Sequence, residues 1–454
     1  MAQIAQPDRK AFEQIGALVY KEQQTPGFAF LVWSHGSVVF SKGYGLADVA
    51  SKTPVTANTR FAIGSITKQF TAAAVLLLAE QNKLSLDDKL AKYLPEMPNA
   101  EKITLRMLLN QDSGLHNYPN TREHDWPLSG EIPPEKLIAI LKTDKPDFAP
   151  GERWEYSNSN YAVLAYIVAR VSGMTYADFL QKNIFGPLGM ASSGSGFASQ
   201  AGTATPYEGS AGKFEPAKPK ISLDLFYGAG SIVSTAQDLA RWDAALMAGK
   251  LLNADSMHAL WTNGALANGQ RFRYAMGFIA ETIGEHREVW HNGYSPNAGG
   301  YCYNVIFPED DLAVIVLSTA PDAAFRGQPE KIVKSVLALY DPRVAAPPAK
   351  ANAAQDDPAV YALAMKMWDQ MISGKVDRSL LSPEMNAAMT PELLASVAPQ
   401  FQPPGKLESL TLLERTSIDG GSRYLYESHF SSGTHKIEIF ITADGKVGGY
   451  HVTP

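Results

Sequence analysis

Residues 61–84 read FAIGSITKQFTAAAVLLLAEQNKL. From Ser65 onward the pattern is helical, rich in Ala and Leu, and residues 71–79 carry no charge. A helix apolar on every side belongs in the middle of a domain. At its start Ser65 and Lys68 stand three apart, which puts both side chains on one helix face. Serine is a weak nucleophile until a neighbouring base takes its proton. Lysine is such a base only when burial or nearby charge lowers its pKa toward neutrality. Two influences act that way here: a place in the first helical turn, where the dipole disfavours a cation, and no acidic residue in the turns that follow.

Alone, S-x-x-K says little. Roughly two matches are expected by chance in a chain of this composition, and two occur. The other, Ser210-Ala211-Gly212-Lys213, lies in a Gly/Pro/Lys-rich loop with no apolar helix behind it. Context therefore favours Ser65 over Ser210, although the motif alone still reads more simply as an N-cap serine with a solvated lysine one turn later.

Residues 27–48 read as a hairpin, FAFLVW and VVF flanking the turn Ser34-His35-Gly36-Ser37. Helices are expected over residues 160–172, ended by Gly173, and 235–248, capped by Ser234. Strands are expected over 301–307 and 312–318, around the turn Pro308-Glu309-Asp310-Asp311, and a helix over 331–340. Strands at both ends with helices between predict an α+β domain whose termini meet in one antiparallel sheet. DPRVAAPPAKANAAQDDP, residues 341–358, reads as a linker. Beyond it, helices over 359–373 and near 382–398, then LESLTLLERTS, RYLYESHF, HKIEIFIT and KVGGYHV, predict a small α+β domain. The expected boundaries are 1–345, a linker 346–358, and 359–454.

Two further clusters carry chemistry. Tyr156-Ser157-Asn158 directly precedes a helix. A tyrosine beside a lysine can relay a proton, and an asparagine can orient a substrate amide. A second Y-x-N, Tyr118-Pro119-Asn120, is also present. His291-Asn292-Gly293 is the one H-x-G in the chain and stands just before the strand at Tyr301. Glycine beside a site lets a substrate backbone approach, and histidine supplies a donor or positive charge near neutral pH.

In the order S-x-x-K, Y-x-N, H-x-G, these motifs resemble those of the penicillin-recognising serine hydrolases: class C β-lactamases, D-alanyl-D-alanine carboxypeptidases, and related esterases and D-aminopeptidases. FAIGSITKQFTAAAVLLLAEQNKLSLDDKLAKYLPEMP, ITLRMLLNQDSGL and YSNSNYAVLAYIVARVSGMTYADFLQKNIFGPLGM extend the resemblance to roughly residues 10–340. It implies that Ser65 is the nucleophile and that Lys68 and Tyr156 share the base and acid work. It further implies that Asn158, His291, Asn292 and Gly293 bind substrate, and that the backbone N–H groups of Ser65 and Tyr294 form the oxyanion hole. It implies helices flanking the sheet, a helical subdomain, and no metal or cofactor. H-N-G in place of K-T-G is similar to peptidases and D-amino-acid-releasing relatives, which puts an amidase or peptidase of the D,D-carboxypeptidase or D-aminopeptidase kind ahead of a carboxylesterase. β-Lactam turnover is then at best a secondary activity. A sensor acylated without turnover is the alternative from another class. A His291 titrating near its ordinary pKa, about 6.5, would favour carboxylate-bearing substrates when protonated. The last domain weakly resembles NTF2-like or cystatin-like modules.

Composition agrees with a hydrolase of small molecules or peptides. The 454 residues are 45% apolar and 19% charged, with a formal net charge of −6 and no basic patch, which argues against a nucleic-acid partner. The single Cys302 excludes an internal disulfide framework. No run of 18 apolar residues predicts a membrane span. The opening MAQIAQPDRK lacks the regions of a signal peptide, so the chain reads either as cytoplasmic or as a periplasmic or secreted product with an added Met1. Oligomeric state is left open by the sequence.

Overall fold

The structure is a computed structural model that describes residues 7–21, 25–118, 130–210, 212–218, 222–295, 299–344, 356–390, 394, 406–418, 421–430 and 433–453. It divides into two compact units, Met1–Val344 and Ala345–Pro454. In chain order the strands of the first unit are β1 (Gly27–Ser34), β2 (Ser37–Asp48), β3 (Thr53–Pro54), β4 (Phe61–Ala62), β5 (Gly194–Ser195), β6 (Tyr207–Ser210), β7 (Lys213–Pro216), β8 (Ile232–Ser234), β9 (Ile279–Ile283), β10 (His286–Gly293), β11 (Cys302–Phe307) and β12 (Leu312–Ser318).

Seven of these form one sheet in the order β3-β2-β1-β12-β11-β10-β9, and its pairings are antiparallel. The first hairpin closes through His35 (φ 48°) and Gly36 (φ 85°), the pair of positive φ values that a tight two-residue turn needs. β1 then pairs with β12, so the two ends of the unit meet in the sheet as the sequence predicts. β1 is buried along its whole length because both faces are covered. Phe28, Phe30 and Val32 join Phe12, Ile332 and Val336 of the helices Arg9–Lys21 and Gln328–Tyr340, while Ala29, Leu31 and Trp33 join the core of the helical region.

That second core is built around the helix Thr67–Glu80, in which every residue from Thr67 to Leu76 is buried. Phe70 stacks on Trp242 at 4.2 Å between ring centroids. Truncating a core phenylalanine of this kind to alanine costs about 3–5 kcal/mol. The helix starts two residues later than the sequence suggests. Ser65 lies in a 3₁₀ turn, Gly64–Ile66, entered through Gly64 at φ 52°. Ser234 is not a cap either: Thr235 Oγ1 accepts from Asp238 N at 3.0 Å, while the Ser234 hydroxyl pairs with Ser193. The rival Ser210 and Lys213 flank the tip of the exposed β6–β7 hairpin.

In the second unit, β13 (Leu407–Ile418), β14 (Gly421–Phe430), β15 (Gly433–Thr442) and β16 (Val447–Thr453) form a four-stranded antiparallel sheet in sequence order. The helix Pro358–Ser373 lays Met367, Trp368 and Met371 against Tyr426, Ile437 and Ile439. A shorter helix, Pro383–Ala388, stands where a longer one was expected; residues 391–393 and 395–398 of that span, and residues 346–355 of the linker, lie outside the described residues. Among the described residues no single helix is long and apolar enough to cross a membrane.

His286, at the start of β10, fastens the sheet to the end of this first unit. Its Nδ1 lies 2.9 Å from Asp310 and its Nε2 3.0 Å from Asp341. Burial opposes charge on the ring, but the two carboxylates outweigh it and raise the pKa above 6.5. Only the cation can donate to both partners. A pKa raised by folding contributes stability that is full below the unfolded value and is lost as pH rises through the folded one. The stability gap between the parent and His286→Gln in urea should therefore be widest near about pH 5 and narrow toward about pH 9. A gap that widens with pH would contradict the double pairing.

Candidate active site

Ser65, Lys68, Tyr156 and Asn158 converge although the last two are about ninety residues away in the chain. Lys68 is fully buried. Its Nζ lies 2.8 Å from Asn158 Oδ1, 2.8 Å from the Ala229 carbonyl and 3.1 Å from Ser65 Oγ. It also sits 4.6 Å from the centre of the Tyr156 ring and 5.6 Å from that of Tyr161. Burial lowers its pKa well below the usual lysine range, and among the described residues no carboxylate offsets that effect. A neutral amine has two N–H donors and one lone pair. The two amide oxygens can only accept, so they take the two donors and leave the lone pair for the one partner that can donate, the Ser65 hydroxyl.

Tyr156 completes the serine's surroundings. Its hydroxyl lies beside Ser65, and burial raises its pKa, so the phenol keeps its proton. With the amine neutral, the Ser65 hydroxyl donates to Lys68. Asn158 is held by Asn117, whose Oδ1 accepts from both Asn158 N (2.9 Å) and Asn158 Nδ2 (3.1 Å). This turns Asn158 Oδ1 toward Lys68.

H-N-G is the last part of β10 and not a segment leading into the next strand. Strand alternation sends its side chains to opposite faces. His291 points into the helical core, 2% exposed. Its Nδ1 is 2.5 Å from the Asn292 carbonyl, which requires a proton on Nδ1, and its Nε2 is 3.2 Å from the Tyr274 hydroxyl. Burial and the neighbouring Lys68 push its pKa down to about 3. The expectation of a histidine titrating near neutrality is corrected: the ring is neutral and both nitrogens are engaged. Asn292 is turned away from the serine, donating to the Tyr301 hydroxyl at 3.1 Å on the other face of the sheet. As a side chain it does not reach the site predicted for it.

Gly293 is required by contact. A Cβ there would fall 1.8 Å from the Ile63 carbonyl oxygen and 3.1 Å from Ser65 N, and a Cβ on Gly64 would fall 2.4 Å from Tyr294 N. Ser65 N and Tyr294 N are thus both in the close contact where turn and strand meet. Tyr118 of the rival Y-x-N is buried and bonded to the Leu225 carbonyl at 2.5 Å; Pro119 and Asn120 lie outside the described residues. Sequence reasoning missed Tyr274, Ala229 and Asn117. None belongs to a motif, although Gly277, three residues after Tyr274, packs on the Lys68 carbonyl and marks the segment.

A family model described as Beta-lactamase matches residues 7–338. The chain belongs to the beta-lactamase family. It is 36% identical over 262 residues to the penicillin-binding protein PbpX of Bacillus subtilis (strain 168), across 57% of this chain and 63% of that relative. It is 29% identical over 300 residues to a D-aminopeptidase of Brucella anthropi, across 63% of this chain and 55% of that relative. The chain thus spans well under the full length of these two relatives. Among solved structures, the octameric penicillin-binding protein homologue from Pyrococcus abyssi aligns with a TM-score of 0.63 and 21% identity. That alignment covers 98% of this chain and 100% of the other, so the likeness of fold extends into the second unit. Membership of the beta-lactamase family agrees with a serine hydrolase and with the α+β fold.

The contact at Gly293 gives a direct test. Gly293→Ala must part the strand from the serine turn and spread the two N–H groups. Loss of one oxyanion donor costs about 10²–10³ in turnover. Labelling of Ser65 by a fluorophosphonate should slow on that order, with a lowered melting temperature. Parental labelling and melting would contradict the contact.

Proposed function

We propose that the protein cleaves amide bonds through an acyl-enzyme on Ser65, and that its substrates carry no free carboxylate on the leaving side. It is then an amidase or peptidase of the D-aminopeptidase kind rather than a D,D-carboxypeptidase. The observation that carries the first half is the set of partners around Lys68, two obligate acceptors and one serine hydroxyl.

In this reading Ser65 Oγ attacks the substrate carbonyl carbon while its proton passes to Lys68 Nζ. The carbonyl oxygen takes the negative charge between the N–H groups of Ser65 and Tyr294, where fixed donors act without reorganising. The lysine cation so formed is balanced by that oxyanion and faces the rings of Tyr156 and Tyr161. Tyr156 gives its proton to the departing amine nitrogen as the C–N bond breaks and regains one from Lys68. Water then attacks the ester, a proton returns to Ser65 Oγ, and the acid leaves. General acid–base transfers of this kind contribute typically about 10²–10⁴-fold. Asn158, held by Asn117, keeps Lys68 aimed and borders the acyl side.

His291 supports the second half. A ring whose Nδ1–H is used by a backbone carbonyl and whose Nε2 accepts from Tyr274 offers no cation to a carboxylate. The name D-aminopeptidase of the Brucella anthropi relative points the same way.

Two measurements test this reading. Mass mapping after fluorophosphonate treatment should place one adduct on Ser65 and none in Ser65→Ala. Against pH, kcat/KM for a D-amino acid amide should exceed that for a peptide ending in D-Ala-D-Ala by about tenfold or more, one tenfold step being about 1.4 kcal/mol of barrier. The ratio should stay level between about pH 5.5 and 8, because His291 at about 3 lies below that range. A preference for the carboxylate peptide that fades as pH rises past about 6.5 would reverse the assignment.

A further inference from the structure

Gln111 closes the helix Leu105–Asn110 in the left-handed region, φ 69°, and is fully buried. A non-glycine residue held there is strained, and such strain persists only where the surroundings enforce it. What surrounds Gln111 is the segment that carries Tyr156. The two peptide N–H groups on either side of that tyrosine both end on this one residue: Glu155 N donates to the Gln111 carbonyl at 3.0 Å, and Ser157 N donates to Gln111 Oε1 at 3.0 Å. Oε1 also accepts from Asn160 Nδ2 at 2.6 Å, and Asn160 Oδ1 in turn takes the Ser113 hydroxyl at 2.5 Å. Since a backbone N–H only donates, the side-chain atom facing Ser157 is the oxygen, and the amide's orientation is fixed. Its nitrogen end, which has no well-formed hydrogen bond, then lies beside the Tyr274 hydroxyl, the partner of His291.

We propose that Gln111 is a positioning residue that clamps Tyr156 from both sides and so keeps its hydroxyl on Ser65. The proposal rests on the reading of Tyr156 as the group that donates a proton to the leaving group, the amine of a substrate or the fluoride of a fluorophosphonate. Fixing the peptide on both sides of a residue restricts the backbone angles from which its side chain swings. A misplacement of about 1 Å at a reacting group costs on the order of 10²-fold in rate.

The test uses the full chain and the rate at which a fluorophosphonate labels Ser65, resolved into a limiting rate and a half-saturating concentration. Gln111→Asn tolerates the positive φ but is one carbon too short to reach Ser157. Gln111→Met, of the same length without the oxygen, is the second variant should the first not fold. Either should label about tenfold or more slowly, with half-saturation unchanged within about twofold, and Gln111→Glu, which keeps the oxygen, should recover most of the rate. In a Tyr156→Phe background the same substitution should cost nothing further, since neighbours that act as a unit are not additive. An equal loss in both backgrounds, or a parental rate in a folded Gln111→Asn, overturns the clamp. If Tyr156→Phe itself labels at the parental rate, the role of Tyr156 fails and takes the clamp with it; if only the Gln111 variants do, the clamp alone is wrong.

Discussion

An amine with two carbonyl-type acceptors, one serine hydroxyl and no carboxylate around it is an unusual thing to bury. Removing a full positive charge from water costs several kcal/mol even after relaxation, and Lys68 sits where, among the described residues, nothing of opposite sign repays that cost. The cheaper state is the neutral amine, whose lone pair then has one place to go. The reactivity proposed for Ser65 rests on that constraint. So does the behaviour of its neighbours. Tyr156 keeps its proton because burial raises it. His291 stays neutral because burial opposes charge on its ring.

The fold supplies the dry environment. The helix Thr67–Glu80 is enclosed by apolar side chains along nearly its whole length, and β10 runs across its N-terminal turn closely enough that two glycines, Gly64 and Gly293, have no room for a Cβ. The same contact includes Ser65 N and Tyr294 N, the two donors of the proposed oxyanion hole. The Y-S-N segment arrives from a helix on the other side, tied by Gln111 and Asn117. Three distant pieces of chain are therefore held by backbone contacts and amide clamps, while the reacting atoms themselves make few structural bonds.

Much of this was legible beforehand. The hairpin at residues 27–48, the apolar helix after Ser65 and the pairing of the first unit's two ends follow from alternation, turn residues and composition. The choice of Ser65 over Ser210 followed from the helix behind it. Strand β10 was not seen, because HREVWHNG places charged residues on both faces and breaks the alternation that marks a half-buried strand. Asn292 was assigned to the site by resemblance through H-N-G, and the strand sends its side chain to the face opposite His291. The charge of His291 was not readable from type and spacing, because it depends on burial and on Lys68, which is brought close only by the fold. Tyr274, Ala229 and Asn117 act through one atom each, and such roles leave no pattern in a sequence.

The charge on Lys68 is the central claim, and it is measurable. Lysine labelled with ¹³C at Cε gives a signal that shifts when the amine loses its proton, and Lys68→Met identifies the one that belongs to the site. The account predicts that this signal is already in its neutral position near about pH 7, far below the ordinary lysine value of about 10.4, while surface lysines remain charged. A Lys68 signal that titrates together with the surface lysines would contradict the neutral base and the mechanism built on it.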